Sequence, residues 1–491
     1  MSRLAAAIVA GAALLVLAGA AAAERAERLP AIVHLHSDLT TGDFPLEALA
    51  GMAQAQKLGA LLVSENYLVR VEYGLPPFRA LTRVTHGDSS VLDLGIDRYL
   101  ARVAEVRAQY PGLVILAGVE VMPHYHWTGS PLALEMQAHN TQKNLLVWGL
   151  DAAALARLPV VGNPAARVYA LDSVVEALPA LLLLPGVIVL ARKRPVRQRV
   201  GRAVMVVRRR QWLLGAVLCG IAAFAITRAW PFTVDRYPPW RDFGVAPYQA
   251  LIDEVNAGAG ITAWSFPEAR DEGERMMGPV RVTWRTDPYP DDLLRTFRYT
   301  AFGGVYEDTS RFERPGAGWD RALAEYVAGE RSRPARALGE SGFHGLSAGK
   351  RVGLVQTVLL DVERSEAGVL DAIREGRAFA LRRSPEFALS LGQFVVAGTE
   401  GAAAIGGTLR ANVGAPVEVR VAVDADRPGR DVRITLVKNG AVVEAWSGPT
   451  PFRATHREDF DGRPAYFRLD VGGPSADHRI LTNPIFVRPA S

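Results

Sequence analysis

The chain has a single cysteine, Cys219, in 491 residues, so no disulfide can form within it. It has no acidic residue between positions 192 and 210, where nine arginines and lysines fall. Removing that stretch takes the formal net charge from +5 to 5 − 9 = −4. The basic character is therefore local. A general phosphate-binding surface is excluded, and no nucleic-acid partner is expected. The composition, 49% hydrophobic and 22% charged, also lacks the polarity of a disordered chain. The length suits two or three domains.

Residues 1–23, MSRLAAAIVAGAALLVLAGAAAA, lack a polar face that could line a buried helix. One arginine precedes an apolar run ending in small residues. That is the layout of a secretory signal, or of an uncleaved N-terminal anchor. Two further apolar runs occupy 174–191 and 212–227. The nine cations between them would be repelled from a protein core, but they suit the cytoplasmic face of a membrane. A transmembrane hairpin over 173–230 follows, with a short basic cytoplasmic loop. Its flanks, 24–172 and 231–385, then lie on the outer side of a bacterial inner membrane. The leader points the same way, and the bilayer is one expected partner.

Outside the hairpin, apolar strand-like runs alternate with helical spacing, which predicts an α/β sheet or barrel. Helices are expected over 45–58, 96–110, 247–257, 320–329 and 366–375, and strands over 60–63, 113–117, 145–148, 260–264, 336–338 and 355–362. From 386 to 491 the pattern changes to period-two alternation with turns such as Asn439-Gly440, which predicts a β-sandwich.

Polar residues recur where these strands end. The stretch 32–43, IVHLHSDLTTGD, places His34 and His36 two apart, and residues i and i+2 of a strand face one side. Glu65, Glu120 and Glu340 also follow apolar runs. His124, His126 and His139 lie within 122–150. Imidazole and carboxylate are the groups that hold Zn²⁺, Mn²⁺ or Fe²⁺.

With VHLHSD, ENYLVRVEYGLPPF, GVEVMPHYHWTGSP, the pair His139-Asn140 and GESGFHG in hand, residues 30–385 resemble the PHP (polymerase and histidinol phosphatase) superfamily of metal-dependent phosphoesterases. The membrane-embedded type, with a hairpin inside the domain, is the nearer likeness. The resemblance implies a distorted β/α, TIM-like barrel split by the hairpin and binding up to three metal ions. It implies His34, His36 and Glu120 as the core ligands, with His139 and His344 as further ones. Three departures stand out. Ser64-Glu65-Asn66 replaces Thr-Asp-His, Phe266 replaces a histidine, and Gly342 replaces an aspartate. These substitutions point to a reduced site holding as few as one ion. Two functions follow. One is an exported, membrane-tethered hydrolase acting on a small phosphorylated substrate, with Glu65 or Glu340 as general base and Arg70 holding the substrate anion. The other is a degenerate domain that binds or senses without chemistry.

Overall fold

The computed structural model describes residues 27–490 apart from 77, 308–309 and 347–348; the expected leader, 1–23, lies outside them. Strand Arg28–Leu35 sits between Ala60–Val63, parallel to it, and Val355–Leu360, antiparallel. Val114–Leu116 extends the sheet on one side and Ala378–Arg382 on the other. A second sheet runs in the order Arg336–Gly339, Ala301–Val305, Ile261–Trp264, Leu145–Trp148, Gly118–Val121, Glu65–Asn66. The chain crosses from the first sheet to the second at Ser64 and again at Ala117. At the opposite margin the Ser341 N–H donates to the Val33 carbonyl (2.9 Å), and the His36 N–H donates to that of Phe343 (2.9 Å). The margin that carries the histidines is thus tied to the segment 340–343, which follows strand Arg336–Gly339 and begins with Glu340.

The strands are short and apolar on both faces, as in Ala60–Val63 and Leu145–Trp148, where every residue is buried. Fully buried strands need cover on both sides, and amphipathic helices supply it. Ile96–Gln109 buries Tyr99, Val103 and Val106, spaced by four and three, and Ala246–Ala257 buries Tyr248, Leu251, Ile252 and Val255. Each such side chain contributes about 1.5–3 kcal/mol by leaving water.

A third sheet, of four strands, combines His126–Ser130 and Glu135–His139 with Asp271–Met277 and Val280–Thr286. Its strands come from both sides of the hydrophobic pair. Glu135–His139 runs parallel to Val280–Thr286, so the flanks of the pair build one structure.

The hydrophobic pair forms two helical runs, Leu171–Ala191 and Trp212–Ala229, each long and apolar enough to cross a membrane by length and composition. They pack closely at Gly186 and Gly215: a side chain at either would collide with Cys219 or with Leu190. Their outer faces leave Leu184, Val187, Ile188, Leu213, Val217 and Phe224 exposed. The segment between them, expected as a plain loop, is a β-hairpin, Lys193–Val200 with Ala203–Arg210.

The C-terminal strands pack as two sheets around a core that includes Val419, Val421, Ile434, Leu436 and Leu469. The boundary expected at 386 is not a break in the sheet, because Ala378–Arg382 pairs directly with Arg479–Thr482. The first sheet continues into the C-terminal module, eleven strands in all.

Candidate metal centre

His34 sits at a break in strand register between Val33 and Leu35, with φ of +68°. A non-glycine residue there is strained, and strain of this kind collects at functional sites. The bulge re-aims the ring, so alternation along the strand is not what brings the two histidines together. His34 Nε2 lies 3.0 Å from His36 Nε2 and 3.4 Å from Glu120 Oε1, and His36 Nε2 is 3.5 Å from Glu120 Oε2. A tetrahedral ion with bonds of ~2.0–2.1 Å holds its ligands roughly 3.3–3.4 Å apart. The three side chains thus present donor atoms at spacings close to those of such a polyhedron, with Glu120 turning one oxygen toward each histidine. His34, His36 and Glu120 are also the one group of three or more potential ligands of this compactness among the described residues.

The supporting contacts fix this arrangement. His34 Nδ1 is 2.7 Å from Glu340 Oε1. Ser265 Oγ donates to the same oxygen (2.6 Å), and the Phe266 N–H donates to Oε2 (3.0 Å). Glu340 is thus fully engaged in orienting His34, as carboxylates behind metal-bound imidazoles are. It is not available as the base that its place at a strand end suggested. Gly303, on the neighbouring strand, leaves room for it, since a β-carbon there would run into Glu340 Oε2. Glu65 is likewise occupied. It accepts from the Ser37 N–H (2.8 Å), the Ser37 hydroxyl (2.5 Å) and the Thr40 hydroxyl, and so clasps the loop after His36. Burial, opposed by those hydrogen bonds, pushes its carboxyl up to about 7.

The electrostatics are those of a buried ion pair. Burial alone would lower the pKa of His34, but Glu120 and Glu340 overcome it and raise it to about 9. Burial would raise that of Glu120, but His34 and the other nearby imidazoles bring it down to about 2. His36 is held neutral by burial. Its Nδ1 is buried without a hydrogen-bond partner. A raised His34 pKa favours a proton on this imidazole, with which a metal ion would compete.

The cluster opens into a cavity of about 390 Å³, lined among others by Asn66, Asn144, Gln142, Phe266, Lys350 and His344. His344 stacks on His36, with ring centroids 3.9 Å apart, and its Nδ1 is 3.1 Å from the Thr41 hydroxyl. Expected as a further ligand, it borders the site but stands outside the compact triad. Asn144 donates to Glu120 (2.8 Å), a contact the sequence reading missed because the residue merely precedes an apolar strand. Phe266, with φ of +40°, stacks on His34 with centroids 5.2 Å apart. A β-carbon at Gly342 would come within 2.5 Å of the Phe266 ring, so the phenyl ring occupies the space that a larger residue at 342 would need.

Two expected site residues lie elsewhere. Arg70 is paired with Asp93 (2.9 Å) and does not line the cavity; its strand, Arg70–Tyr73, belongs to a separate two-stranded ribbon. Lys350 and Arg270 are the cations that do line it. His139 ends a strand of the third sheet, opposite His126, and is not part of the triad.

No protein-family model matches the chain, and no curated protein matches it. Solved structures that resemble the chain include the following three, all distant. A two-domain protein from Bacteroides vulgatus, expected to contain a PHP-like metal-dependent phosphoesterase, shares 11% identity over 94% of this chain and 95% of its own, with a TM-score of 0.36. A proposed metal-dependent phosphoesterase from Bifidobacterium adolescentis shares 11% identity over 66% of this chain and 90% of its own, with a TM-score of 0.28. An amidohydrolase from Chromobacterium violaceum, with bound sulfate and no metal, shares 14% identity over 65% and 89%, with a TM-score of 0.28.

Proposed function

We propose that the chain is a PHP-like, metal-dependent hydrolase of the phosphoester type, built on a distorted barrel and tethered to a membrane by its two apolar helices. The observation that carries this reading is the convergence of His34, His36 and Glu120 at distances suited to one tetrahedral ion, with Glu340 orienting His34 from behind. Three protein ligands with an opening to a cavity are the pattern of a catalytic rather than a structural site. A divalent ion held there supplies Lewis acidity toward a phosphoryl oxygen and toward water.

The chain's own residues do the rest. Glu340 keeps the Nδ1 proton of His34 in place and so leaves Nε2 directed at the ion. His344, kept neutral chiefly by burial, is able to accept a proton at the cavity wall. Lys350 Nζ, which donates to the carbonyls of Ser341 and Gly342 (both 3.0 Å), places a cation where a substrate anion would enter. Arg270 offers a second. The membrane reading rests on the exposed apolar faces of the two helices and on the spacing of Trp212 and Trp230. These exposed residues sit 18 positions apart, roughly 27 Å along a helix, near the thickness of a bilayer core. The basic hairpin then faces the cytoplasm and the cavity the opposite side.

One observation favours the second reading, a binding domain without turnover. Phe266 and Gly342 fit each other, and together they leave no further ligand beside His34. The test is hydrolysis of an aryl phosphate by the full chain with added Zn²⁺ or Mn²⁺. The hydrolase reading predicts turnover that a chelator abolishes. Phe266→His combined with Gly342→Asp should raise both metal content and rate, whereas Gly342→Asp alone should clash with the phenyl ring. Tight metal binding without turnover in either form would favour the binding domain.

A further inference from the structure

His139, displaced from the cavity, belongs to another cluster. Directly across the strands lies His126, with ring centroids 4.6 Å apart. His124, two residues earlier, places a third ring 6.2 Å from His126. From the segment after the second apolar helix, Asp242 brings Oδ1 to 4.0 Å from His126 Nδ1. His124 is fully buried, and neither of its ring nitrogens meets a partner in hydrogen-bond geometry, the backbone of Pro238 being its polar neighbour. His126 Nδ1 is also buried and unpartnered. Leaving a buried polar atom unsatisfied costs about 1–3 kcal/mol, and a ligand that took one ring nitrogen from each of His124 and His126 would relieve it.

We propose that His124, His126, His139 and Asp242 form a second site for a divalent transition-metal ion such as Zn²⁺, separate from the cavity. Three imidazoles and a carboxylate complete a tetrahedral set with no open position, the pattern of a structural site. A tetrahedral ion with nitrogen bonds of ~2.0–2.1 Å sets ring centroids roughly 5 Å apart, and the observed spacings fall on either side of that value. The rings now lie nearly parallel, at 10° and 19°, so closing on an ion requires them to turn. His139 Nε2 is 2.8 Å from the Thr128 hydroxyl, which leaves Nδ1 for the ion. Burial lowers the pKa of all three histidines, that of His124 to about 4, so they are neutral at pH 7 and their lone pairs are available. Lys143 faces His124 and His126, but its charge is paired with Asp292. Arg285 and Asp287 face His139 from the neighbouring strand and are paired with each other (2.7 Å). The ion would tie the segment before the hydrophobic pair to the segment after it. The backbone already joins them there, with the Trp127 N–H donating to the Pro239 carbonyl (2.8 Å).

The test is the zinc content of the full chain in detergent, after loading with zinc alone and exhaustive dialysis. Relative to wild type, His126→Gln with His139→Gln should lose one equivalent, and the rise in melting temperature on adding zinc should shrink. His139→Gln alone, on a partly exposed strand, should fold normally and weaken this equivalent at least about tenfold, the scale at which loss of a supporting contact is felt. His36→Ala should leave it in place. Wild-type zinc content and affinity in the His139→Gln protein would overturn the proposal, whether or not the double variant folds.

Discussion

Glu120→Gln should destabilise the ion-free protein by about 2–3 kcal/mol at neutral pH and abolish tight metal binding in the cavity. The estimate follows from His34. Its pKa rises from 6.5 to about 9 in the folded chain, and each unit corresponds to ~1.4 kcal/mol. Glu120 is the stronger of the two opposing carboxylates, with Glu340 contributing the remainder. Removing the charge lets His34 shed its proton rather than stay buried and unpaired, so the cost stays below the 3–5 kcal/mol typical of breaking a fixed buried pair. The amide keeps the shape of the side chain.

The pH dependence gives this prediction a second readout. The His34 contribution is fully present below pH 6.5 and is lost as pH rises through about 9, because the folded-state pKa is the raised one. The Glu120 contribution is present above pH 4.5 and is lost as pH falls through about 2. In chelator-treated wild type the contribution of this pair should therefore be largest between about pH 4.5 and 6.5, and the difference in stability between wild type and variant should be greatest there. Metal binding runs the other way. The ion must displace the proton on His34, so zinc affinity should increase as pH rises toward 9. Thermal melting across pH, with and without zinc, checks both.

The largest purely structural effect should come from Asp320→Ala, at about 3–5 kcal/mol. Asp320 lies on helix Gly318–Val327, before the C-terminal module, and accepts from Arg468 Nε (2.8 Å), Arg468 Nη2 (2.5 Å) and the Tyr466 hydroxyl (2.8 Å). Arg468 belongs to strand Ala465–Gly472 of the C-terminal module and is fully buried, its guanidinium 4.8 Å from the Trp319 ring. Truncating the aspartate leaves an arginine that cannot deprotonate in an apolar setting. The double change Asp320→Leu with Arg468→Met should recover most of the loss, since replacing both members of a buried pair is often neutral. Melting temperature and protease sensitivity of the C-terminal strands measure it. A loss below ~1 kcal/mol would show that the module is held by its sheet pairing and not by this pair.

Much of this architecture was legible in the residues, and the reason is periodicity. The helices expected over 96–110 and 366–375 appear as Ile96–Gln109 and Glu366–Glu375, because one face of each carries regularly spaced apolar side chains and the second begins at a Ser365 cap. The strand 145–148 was found for its unbroken apolar run. The third sheet was not found. In Asp271–Met277 and Val280–Thr286 most side chains are charged or half exposed, so the apolar alternation that marks a strand is weak even though Gly278-Pro279 signals a turn between them. The site was partly legible. His34, His36 and Glu120 could be named from strand ends, but the bulge that turns His34 could not, because register depends on the partner strand. His139 was misplaced for a related reason: its neighbours are set by pairing with His126 across a turn, which motif spacing does not encode. The engagement of Glu65 and Glu340 also depends on contacts far apart in sequence, such as His34 with Glu340.

The central claim is that His34, His36 and Glu120 hold one divalent ion in the cavity. Its most direct test is zinc content in the His126→Gln, His139→Gln background, where the cavity is the remaining candidate site among the described residues. One tightly held equivalent per chain, lost on adding His36→Ala and kept on adding Arg70→Ala, is the predicted result. A folded protein that holds no zinc in this background, or that keeps its zinc when His36 is replaced, would contradict the account.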